Sequence, residues 1–241
     1  MITLDSISYK NRETLLLRNI NAHAPLHKKT VIVGSVGQGK TILLKIIAGL
    51  HKPHTGTVTG VPQTTSYLFQ NSALLEEYTV AENIALGFTH SPTREEISQL
   101  LKLVHVDPAL ENSYPLYLSP GVQKKIAVAR ALAQKSELLL IDSPTEGLDP
   151  LSAAHIRTVL YTKTNTSITI SHDPIIIENA DWLWGISEQT VVYEGPVQEA
   201  LHPPTHTHIR ALMQCMLLPE RNIYRDTNTP HHSDATRLNP S

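Results

Sequence analysis

Gly34-Ser35-Val36-Gly37-Gln38-Gly39-Lys40-Thr41 fits the pattern G-x-x-x-x-G-K-[ST]. Residues 30–33 before it, Thr-Val-Ile-Val, read as a buried strand. Residues 42–50 after it are apolar almost throughout, as a core helix would be. In a strand–turn–helix setting the glycines let the backbone fold round an oxyanion and aim successive N–H groups at it. The helix N-terminus adds a partial positive charge. Lys40 is then placed to reach β- and γ-phosphates, and the Thr41 hydroxyl to ligate Mg²⁺. A chance glycine-rich turn would lack these flanks. The pattern predicts a nucleoside triphosphate site and does not choose between kinases, GTPases and transport ATPases.

A second acid belongs with this loop. Residues 138–142, Leu-Leu-Leu-Ile-Asp, form an apolar strand whose carboxyl end carries Asp142. There a carboxylate can hold the water shell of a metal beside the phosphates, although a strand-ending aspartate is as often a simple cap. Further strands are expected at 2–9, 14–17 and 167–170, and a terminal hairpin from 182–186 and 191–193. Residues 51–66 read as a hairpin with loops, and 71–117 as mostly helical. Within the latter, Thr93 and Glu96 form a capping-box pattern ahead of Ile97, Leu100, Leu101 and Val104 at helical spacing. Helices are also expected at 120–135 and through 156–160. Strands alternating with helices predict an α/β fold, a P-loop NTPase core with a mainly parallel sheet. From residue 221 the chain is polar and rich in Asn, Thr, Pro and His, so 1–220 is expected to fold and 221–241 to be a disordered tail.

Composition removes several classes. The 241 residues are 41% hydrophobic, enough for one sizeable α/β domain, and the formal net charge of −2 gives nucleic acid no bulk attraction. One cysteine, Cys215, excludes an internal disulfide and a cysteine-based zinc site. No stretch approaches the ~20 apolar residues that span a bilayer. Met1-Ile2-Thr3-Leu4 lacks the basic and apolar regions of a signal peptide. A cytoplasmic chain is expected, held at a membrane only through a partner. His202, His206 and His208 read as a solvated loop in preference to a metal site, and His231-His232 have no framework around them.

Six elements in order then resemble one family. Leu118-Ser119-Pro120-Gly121-Val122, followed by residues 124–132, looks like the signature motif and helix of ABC transporter ATPases. Gln70 resembles their Q-loop glutamine, Gly147-Leu148-Asp149-Pro150 their D-loop, and His172 their switch histidine. Tyr9 stands where the family places a ring that stacks on adenine. The resemblance implies an ABC ATPase fold, with an antiparallel β subdomain and a helical subdomain at about 71–135. It implies head-to-tail dimers in which each ATP lies on one chain's Gly34–Thr41 loop and under the other chain's signature, here Ser119 and Gly121, with Asp149 close by. Thr41, Gln70 and Asp142 are implied around Mg²⁺, and Gln70 and His172 around the attacking water. Implied partners are an integral membrane permease, a second ATPase chain and a solute- or lipid-binding subunit, with no nucleic acid. Lipid-asymmetry ATPases and several importer subfamilies are all similar in residues 69–84.

The chain departs from the family twice. After Asp142 the usual glutamate is replaced by Ser143, whose hydroxyl is too weak a base to substitute. Glu146, three residues on, is expected to point elsewhere. In the signature, Pro120 replaces a glycine and removes an N–H, and Val122 replaces a glutamine. Because each ATP site combines one chain's loop with the other's signature, an intact partner would put these lesions in two different sites. A homodimer would put both in both. The expectation is a transporter subunit that binds ATP, hydrolyses it weakly and works beside a different ATPase. The alternatives are a nucleotide-binding regulatory protein and a non-transport ABC protein.

Overall fold

A computed structural model describes residues 1–201. Two sheets carry the fold. The first is antiparallel, with β1 (Ile2–Asn11) between β2 (Thr14–Ala24) and β4 (Thr55–Thr59). The second contains β3 (Lys29–Val33), β5 (Thr65–Leu68), β6 (Leu138–Asp142), β7 (Ser167–Ile170), β8 (Trp182–Ser187) and β9 (Thr190–Pro196). Its order is β5-β6-β7-β3-β8-β9, parallel except for the closing β8–β9 hairpin.

The run at β6 shows why this sheet is parallel and central. All five of its residues are buried, as a strand covered on both faces requires. Leu138 and Leu140 face the antiparallel sheet and α1 (Lys40–Ile47), together with Ile2, Ile7, Leu43 and Leu44. Leu139 and Ile141 face the opposite layer, formed by α4 (Pro120–Ala133) and α5 (Pro150–Lys163), with Ile126, Val128 and Ile156. Trp184, fully buried, donates its indole N–H to the His23 carbonyl at 3.1 Å and so ties the two sheets together.

Two expectations change. Residues 51–66 do not make a hairpin: β4 joins β1, while β5 crosses to the edge of the parallel sheet beside β6. Leu68 is buried in the helical layer and Tyr67 packs half-buried on the opposite face, which outweighs a local turn. Between 71 and 117 the helices are shorter than expected: α2 (Val80–Ala85), α3 (Arg94–Leu103) and two 3₁₀ turns at Pro108–Asn112 and Pro115–Tyr117. Residues 71–79 stay irregular because the buried Asn83 amide satisfies them. It accepts from the Leu75 N–H at 2.8 Å and donates to the carbonyls of Leu75, Tyr78 and Thr79 at 3.0 Å each. The Thr93–Glu96 capping box forms, and so does a second one, Thr79–Glu82. The tail at 221–241 and His202, His206 and His208 lie outside the described residues.

Candidate functional site

Parallel strands β3, β7 and β6 end together, and the loops leaving their carboxyl ends enclose a cleft of about 660 Å³. The loop after β3 supplies Val36 to Thr41, the end of β6 supplies Asp142 and Ser143, and the loop after β7 supplies Ser171, His172 and Asp173. Gln70 comes from the end of β5, and Thr145 and Glu146 from the segment before α5.

The 34–41 loop takes its shape because two of its glycines have no alternative. A Cβ on Gly34 would lie 2.4 Å from the Ile186 carbonyl oxygen. Gly39 has φ of 80°, and a Cβ there would lie 2.4 Å from the Leu16 oxygen. Gly39 also caps α1 and so presents that helix's N-terminus to the cleft. Lys40 is buried and donates to the carbonyls of Gly34 at 2.6 Å and Ser35 at 2.7 Å. Burial pulls its pKa down, and the charge of Asp142 opposes the fall.

Asp142, 2% exposed, accepts the Thr41 hydroxyl at 2.8 Å on one oxygen and the Ser143 hydroxyl at 3.2 Å on the other. A threonine hydroxyl and a carboxylate in contact at the start of a phosphate-type helix are a hard-oxygen donor set that fits Mg²⁺. Ser143 lines the cleft at φ 50°, with its hydroxyl turned back onto Asp142. Burial lowers the His172 pKa, and the Lys40 charge adds to the fall while Glu146 opposes it, so the ring is neutral at pH 7.

Glu146 corrects an expectation. It lines the cleft and accepts a hydrogen bond from the Gln70 side-chain nitrogen at 2.9 Å. Spacing gave no sign of this contact, because it spans 76 residues and arises only when β5 pairs with β6. A second unassigned residue stands behind it. Lys124, 4% exposed, donates to the main-chain oxygens of Gln70 at 2.5 Å and Phe69 at 3.4 Å, tying the signature helix to the Gln70 loop. Its position was readable: Lys124 shares a helical stripe with Ala127, Val128 and Ala131, all buried.

Four expected residues lie elsewhere. Ser119 caps α4, accepting from the Val122 N–H at 3.3 Å, with Pro120 in the first turn. Gly121 adjoins Leu148. Asp149 caps α5 through the N–H groups of Leu151 at 3.1 Å and Ser152 at 3.0 Å, and hydrogen bonding from Ser152, side chain first and then backbone, holds its pKa down. None of the three lines the cleft. Tyr9 does not reach the cleft either. The 51–54 loop is drawn onto β1 by the bond from the His54 N–H to the Ser8 oxygen at 2.9 Å, and the Tyr9 ring meets His51 and His54 edge-on. The cleft wall on this side is Leu16.

Comparison with known proteins gives one answer at the level of family. Residues 17–146 match the model of the ABC transporter family. The energy-coupling factor transporter ATP-binding protein EcfA1 of Thermotoga maritima is 33% identical over 215 residues, covering 82% of this chain and 83% of the relative. The Fe(3+) ions import ATP-binding protein FbpC of Yersinia pestis is 32% identical, covering 86% of this chain and 67% of the relative. The sulfate/thiosulfate import ATP-binding protein CysA of Synechocystis is 30% identical, and the match spans 62% of its length. A dimeric ATP-binding cassette solved with ADP and phosphate superposes with a TM-score of 0.74 at 24% identity. That match covers 83% of this chain and 100% of the cassette, and shows the same fold.

Proposed function

Because the chain belongs to the ABC transporter family, we propose that it is an ATP-binding subunit that couples nucleotide binding, with weakened hydrolysis, to movement of a substrate by a membrane partner. The observation that carries this reading is the cleft itself. Lys40, the Thr41–Asp142 pair, Gln70 and His172 converge from four strand ends on one pocket beside a helix N-terminus. Lys40 and the N–H groups of residues 36–41 would hold the β- and γ-phosphates of ATP. Thr41 and Asp142, with the Gln70 side-chain carbonyl, would hold Mg²⁺, which neutralises charge on those phosphates as the terminal bond breaks.

Hydrolysis at this cleft is expected to be slow. A positioned general base contributes about 10²–10⁴ in rate, and Ser143 is committed to Asp142. The altered signature acts on a different nucleotide. Pro120 is exposed and Val122 half-buried in the first turn of α4, the end that would meet the ATP held by a second chain's loop. A partner ATPase with an intact glutamate would therefore separate the two lesions, whereas self-association would combine them. Apolar side chains on the surface support docking to other chains. Val36 at the loop tip is 91% exposed and Leu151 at the start of α5 is 82% exposed. Leu75 and Tyr78, in the stretch after Gln70, are exposed where a permease is expected to dock. No helix among the described residues is long and apolar enough to cross a membrane, so membrane attachment would run through that permease.

The test is ATP binding and phosphate release by the purified chain, by its natural membrane complex, and by Ser143→Glu. Saturable binding is expected throughout, with slow release by the chain alone. Release should rise about tenfold or more in the variant. A chain that binds ATP while Ser143→Glu stays silent would favour a nucleotide sensor over a transport motor.

A further inference from the structure

We propose that Glu146 is the carboxylate that orients and deprotonates the attacking water at this chain's own phosphate loop, a catalytic role that residue 143 has lost. The inference rests on reading the cleft as an ATP-hydrolysing site.

Three described carboxylates line the cleft, and two are already committed. Asp142 is taken by the Thr41 and Ser143 hydroxyls. Asp173 accepts from Arg157 at 2.7 Å and from the Thr145 hydroxyl at 3.2 Å, and its other oxygen caps the short helix α6 (Pro174–Glu178). Glu146 accepts one side-chain hydrogen bond, from Gln70, and is exposed where it lines the cleft. Its two oxygens have roughly four lone-pair positions, so that single bond leaves capacity to accept from a water.

The Gln70 contact also gives Glu146 a defined place. The amide nitrogen donates to Glu146 at 2.9 Å, which ties the carboxylate to the end of β5. Behind it, the buried Lys124 holds the Gln70 main chain through its ammonium group. Lys124 is therefore a positioning residue: it connects α4, whose first turn is the signature, to the amide that holds Glu146.

The chemical step balances without any further reactant. The water oxygen bonds to the γ-phosphorus while the bond from that phosphorus to the β–γ bridging oxygen breaks. ADP leaves with the bonding pair, and the water proton passes to the Glu146 carboxylate and then to solvent.

Glu146→Gln provides the test, because glutamine still offers an oxygen to the Gln70 amide but cannot take a proton. Full-length wild type, Glu146→Gln, Ser143→Glu, the double variant and Lys40→Ala are compared under single turnover with Mg·ATP. Bound nucleotide is recovered as ATP or ADP, and the thermal midpoint serves as a folding control. Wild type should release phosphate slowly but above Lys40→Ala. Glu146→Gln should lower that rate by roughly tenfold or more and leave the bound nucleotide as ATP. In the Ser143→Glu background the same substitution should cost severalfold less, because the new glutamate takes over. Equal rates for wild type and Glu146→Gln would overturn the proposal, as would a wild-type rate no higher than Lys40→Ala. Failure of wild type to bind Mg·ATP at all would instead overturn the underlying reading of the cleft.

Discussion

The two walls of the cleft differ in how their residues are held. On the wall built by β3, the following loop and α1, the glycines and Lys40 are locked by backbone. Gly34 and Gly39 press against the Ile186 and Leu16 carbonyls, and Lys40 bonds two carbonyls of its own loop. On the wall built by the end of β6 and the segment before α5, the acid that should follow Asp142 is absent. The remaining free carboxylate, Glu146, is held by a side chain from β5's end. On the proposed function, nucleotide binding would draw mainly on the first wall, with Asp142 shared between the two, and turnover on the second, so a change on one wall should leave a different signature from a change on the other.

The largest expected effect breaks the binding wall. Lys40→Ala should weaken Mg·ATP binding roughly 10- to 100-fold, since a hydrogen bond to a charged group is worth about 1.5–3 kcal/mol. Equilibrium binding of a fluorescent ATP analogue measures it. Unchanged affinity would mean that Lys40 stays on the Gly34 and Ser35 carbonyls and never reaches the phosphates.

A smaller effect is expected at the start of α4. Pro120→Gly with Val122→Gln restores one N–H and one polar side chain at a helix N-terminus, a combined net gain of about 1 kcal/mol, the typical net worth of one hydrogen bond. The assay is ATP turnover by the membrane complex, which should rise severalfold. The isolated chain should keep its affinity for ATP, because neither residue lines its own cleft. A change in that affinity would show that the walls are not independent.

The smallest effect lies outside both walls. Thr79→Ala removes the N-cap of α2 and one half of the Thr79–Glu82 box. It should cost about 1 kcal/mol in denaturant unfolding and leave ATP binding unaltered. A loss of binding would mean that the 71–85 region shapes the cleft through Gln70.

The first wall was legible because its information is local. A strand, spaced glycines, a lysine and a helix within about 20 residues each predict their neighbours, and the structure has β3, the loop and α1 in those places. The Asp142 strand was legible for the same reason: five buried residues in a row need two covered faces. What escaped depends on pairing across the fold. Glu146 meets Gln70 only after β5 settles beside β6, and a strand pattern at 65–68 does not name its partner. The hairpin expected at 51–66 failed because β4 and β5 belong to different sheets. Tyr9 meets His51 and His54 in the loop after α1, a contact made across more than 40 residues, and does not line the cleft. Helix lengths at 71–117 were overestimated because one buried amide, Asn83, stabilises an irregular loop that periodicity cannot see.

The central claim is that this chain keeps its ATP-binding wall and has lost the glutamate that drives turnover. The direct measurement is Mg·ATP binding and phosphate release on the same preparations of wild type and Ser143→Glu. The account predicts matching affinities, with release faster by about tenfold or more in the variant. Wild-type release already equal to that of Ser143→Glu would contradict it.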